Sequence, residues 1–173
     1  MQKAISREKF LKTTALAGAA LLVSSLEGWA ASMPDKKLRV AVIGCGSVSN
    51  RYIPQLLSSK WIEVVSLCDI KPERAIVQNK EYKVNAATYG HIDEMLNGVP
   101  FDMMVTLTDM QLHGELNKKA LLAGKHVWSE KPMANTYAEG KALLDLANSK
   151  KLRIWGAPAV VNSPQFAYMS KMI

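Results

Sequence analysis

The stretch that decides the fold is Leu38-Arg39-Val40-Ala41-Val42-Ile43-Gly44-Cys45-Gly46-Ser47-Val48-Ser49-Asn50-Arg51-Tyr52-Ile53. Leu38 to Ile43 is a short apolar run, which reads as a buried strand, and Gly44 stops it. From Val48 to Ser58 the residues Val48, Tyr52, Ile53, Leu56 and Leu57 recur at helical spacing. A strand therefore turns into a helix across Gly44-Cys45-Gly46-Ser47. In such a turn Gly44 permits the tight reversal, and Gly46 lets a pyrophosphate come close to the backbone. The first amides of the helix, around Ser47 and Val48, have no intrahelical partner, and together with the helix dipole they favour an anion. The third small position, normally Gly or Ala for close packing of helix on strand, is Ser49.

Working outward, strands and helices alternate to the end of the chain. Trp61 to Cys68 reads as a strand, Pro72 to Tyr82 as a helix with Pro in its first turn, Ala86 to Thr88 as a brief strand and His91 to Leu96 as a short helix. Phe101 to Thr108 is a fourth strand, Leu112 to Ala123 a helix closed by Gly124, and His126 to Ser129 a fifth strand. Thr136 to Lys150 is a helix and Leu152 to Ala157 a sixth strand. This rhythm predicts an α/β fold, a doubly wound parallel sheet of the Rossmann type, over residues 33–157. Asp69 ends the second strand, 23 residues after Gly46. A carboxylate there accepts hydrogen bonds from the ribose hydroxyls of a dinucleotide. Trp61, Trp128 and Trp155 fall on or beside strands and are expected to fill the sheet–helix interface, and Met103 and Met104 the core. Beyond Pro158, Ser163 is a natural N-cap with Pro164 at the first helical position, opening a helix with no stop signal before Ile173.

The first thirty-two residues read differently. Lys3, Arg7, Lys9 and Lys12 make a basic start, Ala15 to Leu26 is small and apolar, and Gly28-Trp29-Ala30 or Ala30-Ala31-Ser32 supplies small residues for cleavage. This is the layout of an export signal, too short for a membrane span, so no stable membrane insertion is expected. Ser6-Arg7-Glu8-Lys9-Phe10-Leu11-Lys12 resembles the twin-arginine consensus with Glu8 in place of the second Arg, which predicts a periplasmic destination.

Composition sets the remaining bounds. The chain has 173 residues, 49% hydrophobic and 21% charged, values that exclude collagen-like and disordered classes. Its net charge is +7, with 22 basic against 15 acidic residues. Such a balance attracts phosphate in any form, but no clustered Lys/Arg face with interleaved aromatics points to nucleic acid. Cys45 and Cys68 stand alone, outside any Cys-x-x-Cys spacing, and His91, His113 and His126 are scattered, so no metal site is expected.

Three further motifs are similar to one known family. Gly124-Lys125-His126-Val127-Trp128-Ser129-Glu130-Lys131-Pro132 resembles the Gly-Lys-His-Val-x-x-Glu-Lys-Pro of the Gfo/Idh/MocA oxidoreductases. Thr108-Asp109-Met110-Gln111-Leu112-His113 resembles their Thr-Pro-x-x-x-His, with Asp109 for Pro, and Cys68-Asp69-Ile70-Lys71-Pro72 their second-strand end. The resemblance runs from Leu38 to about Phe166 and implies the N-terminal half of a two-domain dehydrogenase. It implies NAD as cofactor, with NADP left open by Lys71 and Arg74, and a sugar or polyol substrate oxidised or reduced by hydride transfer. It further implies cofactor contacts at Gly44, Gly46, Ser47, Val48, Asp69, Thr108, His113, Glu130 and Lys131, with Glu130 on the nicotinamide ribose and Lys131 also the catalytic residue. A second domain, following residues 158–173, would carry most substrate contacts; the full-length protein would be a homo-oligomer, and the 173-residue chain alone is expected to be inactive.

Alternative classes are an NAD-dependent glycoside hydrolase of the same family, against which Lys131 argues, and a non-catalytic dinucleotide-binding module. Asp109 is expected to N-cap the helix that follows, accepting from an amide near Gln111 or Leu112.

Overall fold

The computed structural model describes residues 36–157 and 163–172. They form β1 (Leu38–Ile43), α1 (Ser49–Ser58), β2 (Ile62–Cys68), α2 (Pro72–Glu81), β3 (Ala87–Tyr89), α3 (Ile92–Asn97) and β4 (Met103–Thr106). A single 3₁₀ turn at Met110–Leu112 leads into α4 (His113–Leu122), followed by β5 (His126–Ser129), α5 (Tyr137–Ser149), β6 (Ile154–Gly156) and α6 (Pro164–Met169). The export-signal reading falls on residues 1–32, which lie outside the described residues, as do 158–162.

All pairings in the sheet are parallel, in the order β3-β2-β1-β4-β5-β6. The first three strands step one way from β1, and β4 then returns to its other side. The topology therefore reverses between β1 and β4, the place where doubly wound sheets open a crevice for ligands. The expected architecture is the one found, and each expected element is present with ends moved by one or two residues.

The strands are apolar without interruption because helices cover both faces. Alternate residues of β1 separate cleanly: Ala41 and Ile43 join Met104, Val127, Leu121 and Leu143 in one core cluster. Val40 and Val42 join Val64, Leu67, Met103, Val105 and Ile53 in the other. Met103 and Met104 are thus core residues of opposite faces, as expected.

Two tryptophans are not where their place on or beside strands suggested. Trp61 remains 49% exposed and Trp155 45% exposed. Trp61 sits in the turn before β2 with the Lys60 ammonium 4.7 Å from its ring centre, a surface cation–π pair. Trp155 lies on β6, the edge strand. Of these three, Trp128 alone packs against a core cluster. The expected open-ended helix also stops, at Met169. Ser163 caps its start, its hydroxyl accepting from the Phe166 amide at 3.1 Å. At the other end Lys171 and Met172 donate to the carbonyls of Tyr168 and Met169, tightening the last turn. Among the described residues no helix is long and apolar enough to cross a membrane.

Cys45 and Cys68 are both buried, next to the Asp69 carboxylate. Burial first, and the Asp69 charge second, push both thiols from 9.0 up to about 12. In the unfolded chain they ionise near their ordinary value, while the folded chain keeps their protons until much higher pH. Their contribution to stability is therefore complete below pH 9.0 and is lost as pH rises towards about 12. Denaturant midpoints measured across this range should fall with rising pH, and a Cys45→Ala/Cys68→Ala variant should show a shallower fall.

Candidate functional site

The glycine turn is fixed by its neighbours on both sides. Gly44 has a φ of +95°, and a Cβ there would lie 2.6 Å from the Leu107 carbonyl carbon and 2.7 Å from the Thr108 nitrogen. Only glycine fits between the end of β1 and the chain leaving β4. The Gly44 amide donates to the Cys68 carbonyl at 2.8 Å. The next amide, of Cys45, donates to Asp69 Oδ2 at 2.8 Å, and Asp69 Oδ1 accepts from the Lys71 amide at 2.9 Å. Asp69 is only 6% exposed, so its charge is satisfied by two backbone donors rather than by water. It acts as the brace of the turn as well as lining the ligand cavity.

Ser49 performs the packing role of the missing third glycine. It is fully buried, and its hydroxyl donates to the Gly46 carbonyl at 2.6 Å. Gly46 itself is different from Gly44: a Cβ there would meet nothing within 4 Å. The amides of Gly46, Ser47 and Val48 find no acceptor among the described residues. Three free donors at the start of a ten-residue helix, beside open space, fit the pyrophosphate of a dinucleotide.

That space is a cavity of about 200 Å³ at the carboxyl ends of β1, β2 and β4. Gly44, Gly46, Ser47, Val48, Asp69 and Thr108, six of the expected cofactor residues, line it. Glu130, Lys131 and His113 do not. Glu130 and Lys131 follow β5, one strand further along, and the Glu130 amide joins them to the end of β4 by donating to the Thr106 carbonyl at 2.9 Å. The Glu130 carboxylate is held at both oxygens, by the Tyr52 hydroxyl at 2.6 Å and the Lys131 amide at 2.8 Å. Lys131 is exposed, and its ammonium has no ion-pair partner among the described residues. The Lys131–Pro132 peptide bond is cis.

His113 is neither a surface group nor a cavity wall: it is 1% exposed. Its Nδ1 lies 2.7 Å from the Pro132 carbonyl and its Nε2 2.9 Å from the Thr108 carbonyl. The ring thus bridges the loops that carry Thr108 and Lys131, and its place in the site is that of a strut. Below it, Asn117 accepts from the Thr106 hydroxyl at 2.8 Å and donates to Ser129 Oγ at 2.9 Å, tying β4 to β5.

The expected Asp109 cap is absent. No side-chain cap bond forms there; the Leu112 amide donates instead to the Asp109 backbone carbonyl at 3.0 Å. The loop enters α4 through a 3₁₀ turn, whose backbone bond takes the donor that a capping carboxylate would need. Asp109 lines the cavity, as do Ile70, Arg74, His91 and Leu112. Of these, Arg74 and Asp109 stood out in the sequence, Asp109 as a cap. His91 caps α3, its Nδ1 accepting from the Asp93 amide at 3.3 Å, a role that residue type rarely signals.

Residues 38–157 match the profile described as "Oxidoreductase family, NAD-binding Rossmann fold", Gfo/Idh/MocA. An uncharacterized oxidoreductase of Schizosaccharomyces pombe is 46% identical over 120 residues, 66% of this chain and 32% of its own. The D-glucoside 3-dehydrogenase of Escherichia coli is 31% identical over 117 residues, covering 67% of this chain and 33% of the enzyme. Among solved structures, the WlbA dehydrogenase from Bordetella pertussis, in complex with NADH and UDP-GlcNAcA, superposes with a TM-score of 0.70. It is 27% identical, over 79% of this chain and 42% of that one. The chain thus spans about a third of the length of the curated relatives it matches.

The two glycines of the turn separate folding from binding. Gly44→Ala should destabilise the fold by about 1–3 kcal/mol through backbone conformation alone, before the clash with Leu107 is counted. Gly46→Ala should leave stability unchanged or raise it by up to about 1 kcal/mol. Its methyl would occupy the ligand's approach, lowering NADH affinity at least about tenfold, or 1.4 kcal/mol. Thermal unfolding and fluorescence titration with NADH on both variants measure the two effects.

Proposed function

This chain belongs to the Gfo/Idh/MocA oxidoreductase family, whose NAD-binding Rossmann fold it carries, and on that premise we propose that it is the cofactor-binding part of a sugar or polyol dehydrogenase. The observation that carries this reading is the group of free amides at Gly46, Ser47 and Val48, beside the buried Asp69 carboxylate, at the crevice where the strand order reverses. The similarity to D-glucoside 3-dehydrogenase supports the substrate class. Export through a route for folded proteins, suggested by residues 1–32, belongs to the same reading, since the cofactor would be bound before transport.

A bound nicotinamide supplies the hydride acceptor or donor. The amides of Gly46, Ser47 and Val48 hold the pyrophosphate without any lysine, by hydrogen bonds aided by the helix dipole. Asp69 receives the adenosine ribose hydroxyls while its inner lone pairs keep the turn closed. Thr108 and Glu130 flank the nicotinamide side. Lys131, next to Glu130 in the chain, offers an ammonium with no ion-pair partner among the described residues, able to donate to a substrate hydroxyl oxygen and so fix the carbon that exchanges hydride. By the family resemblance, most substrate contacts come from a second domain, so turnover is assigned to the longer protein and not to these residues alone.

Two measurements test this. The Asp69 carboxylate facing a ribose 2′-phosphate at about 4 Å costs roughly 4 kcal/mol per charge pair at an effective dielectric of 20, and the Arg74 charge in the same cavity offsets part of it. NADH should therefore bind more tightly than NADPH, and a preference for NADPH in paired titrations would overturn the assignment of Asp69. In a protein with its substrate half present, Lys131→Ala should lower kcat by at least about a hundredfold, the lower end of the range for a lost acid–base group, and should lower cofactor affinity far less. Turnover by the isolated 173-residue chain that depends on Lys131 would show the active site to be complete without a second domain.

A further inference from the structure

Tyr52 lies on α1, a turn beyond the free amides, and its hydroxyl reaches 78 residues along the chain to donate to Glu130 Oε1 at 2.6 Å. The other carboxylate oxygen accepts from the Lys131 amide at 2.8 Å. Glu130 is therefore held from two sides, one belonging to the glycine turn's helix and the other to the loop after β5. The Tyr52 ring packs against the core cluster that contains Ile53, Leu67 and Val105, with Trp128 as a further neighbour of that cluster. A phenylalanine would fill the same apolar place, so the hydroxyl answers to Glu130 and not to packing. Among the described residues Glu130 makes no ion pair with the adjacent Lys131 ammonium. A carboxylate free to swing would be drawn to that ammonium, and each group would neutralise the other.

We propose that Tyr52 is a positioning residue: through Glu130 it holds the nicotinamide end of the site in binding geometry and keeps the carboxylate off the Lys131 ammonium. The inference rests on the reading of Glu130 as the partner of the nicotinamide ribose. It follows that Tyr52 governs affinity for the nicotinamide half of the dinucleotide and has no part in holding the adenylate half, which sits against Asp69 and the cavity of β1 and β2. The phenol responds to the same pair. Burial and then the bond to Glu130 raise it above its ordinary 10.0, the Trp128 indole partly opposing them and the Glu130 charge adding to them.

The experiment compares NADH and AMP as probes on the wild-type chain, Tyr52→Phe, Glu130→Gln and the double variant. Tyr52→Phe should weaken NADH binding roughly tenfold to a hundredfold, the scale of a hydrogen bond to a charged group, and leave AMP binding unchanged. In the Glu130→Gln background the same substitution should have a clearly smaller effect, because the amide leaves the hydroxyl only an uncharged acceptor to lose. The Tyr52 phenolate, followed by ultraviolet absorbance against the Tyr52→Phe blank, should form at lower pH once Glu130 is replaced by Gln. Equal losses of NADH and AMP affinity would mark Tyr52 as a merely structural residue and overturn the proposal, as would additive effects or unchanged NADH affinity. A wild-type chain that binds AMP but not NADH would instead overturn the cofactor reading itself, and the phenolate titration would still report whether Tyr52 and Glu130 are paired.

Discussion

The carboxylate of Asp69 ties three backbone segments into one rigid corner. It sits at the end of β2, takes the Cys45 amide of the turn after β1, and takes the Lys71 amide that starts the approach to α2. Its own amide donates to the Tyr89 carbonyl at the end of β3. A buried carboxylate without such donors would be costly, and replacing it by an apolar residue would leave two amides unsatisfied. Because those donors are main-chain groups, their positions are set by the strands. The corner is as stiff as the sheet, and the glycine turn inherits that stiffness.

From this corner the site extends along the carboxyl edge of the sheet. The ends of β1, β4 and β5 stand side by side, so Gly44, Thr108 and Glu130 are brought close although 86 residues separate the first from the last. The far end has its own brace. Thr106, Asn117 and Ser129 form a buried chain of hydrogen bonds between β4, α4 and β5, and His113 above them spans the Thr108 and Pro132 carbonyls. Two polar clusters, around Asp69 and around Asn117, thus fix the two ends of the crevice, while the apolar clusters on either face hold the sheet between them.

The sequence made the first of these clusters legible and hid much of the second. Gly44, Gly46 and Asp69 announce themselves because a turn, a helix start and a strand end are local events with few solutions. Ser49 could be read as a departure, but its bond to the Gly46 carbonyl depends on a rotamer that spacing does not reveal. Asp109 looked like a cap because residue type favours one; the 3₁₀ turn that displaces it is a backbone choice. His113 was visible as a motif residue, yet its burial between two loops depends on the β5 segment nineteen positions away. Tyr52 left no signal beyond helical spacing, since its partner is 78 residues distant. Trp61 and Trp155 were misplaced for a related reason: strand position alone does not say which face a helix covers.

The distribution of charge around the cavity explains why the basic balance of the chain is a poor guide to its ligand. The net charge of +7 suggests phosphate binding through lysines, yet among the lining residues Arg74 is the one permanent cation, set against Asp69 and Asp109. The donors left free among the described residues are the amides of Gly46, Ser47 and Val48, whose partial charges are fixed by the start of α1. Mobile ions screen exposed lysines within about 8–10 Å at ordinary ionic strength, but they act weakly on donors that touch the ligand directly. On the proposed reading, recognition of a dinucleotide is therefore a matter of backbone geometry, which Gly44 and Asp69 impose, and the surplus of lysines on the rest of the surface adds only a weak, salt-sensitive attraction.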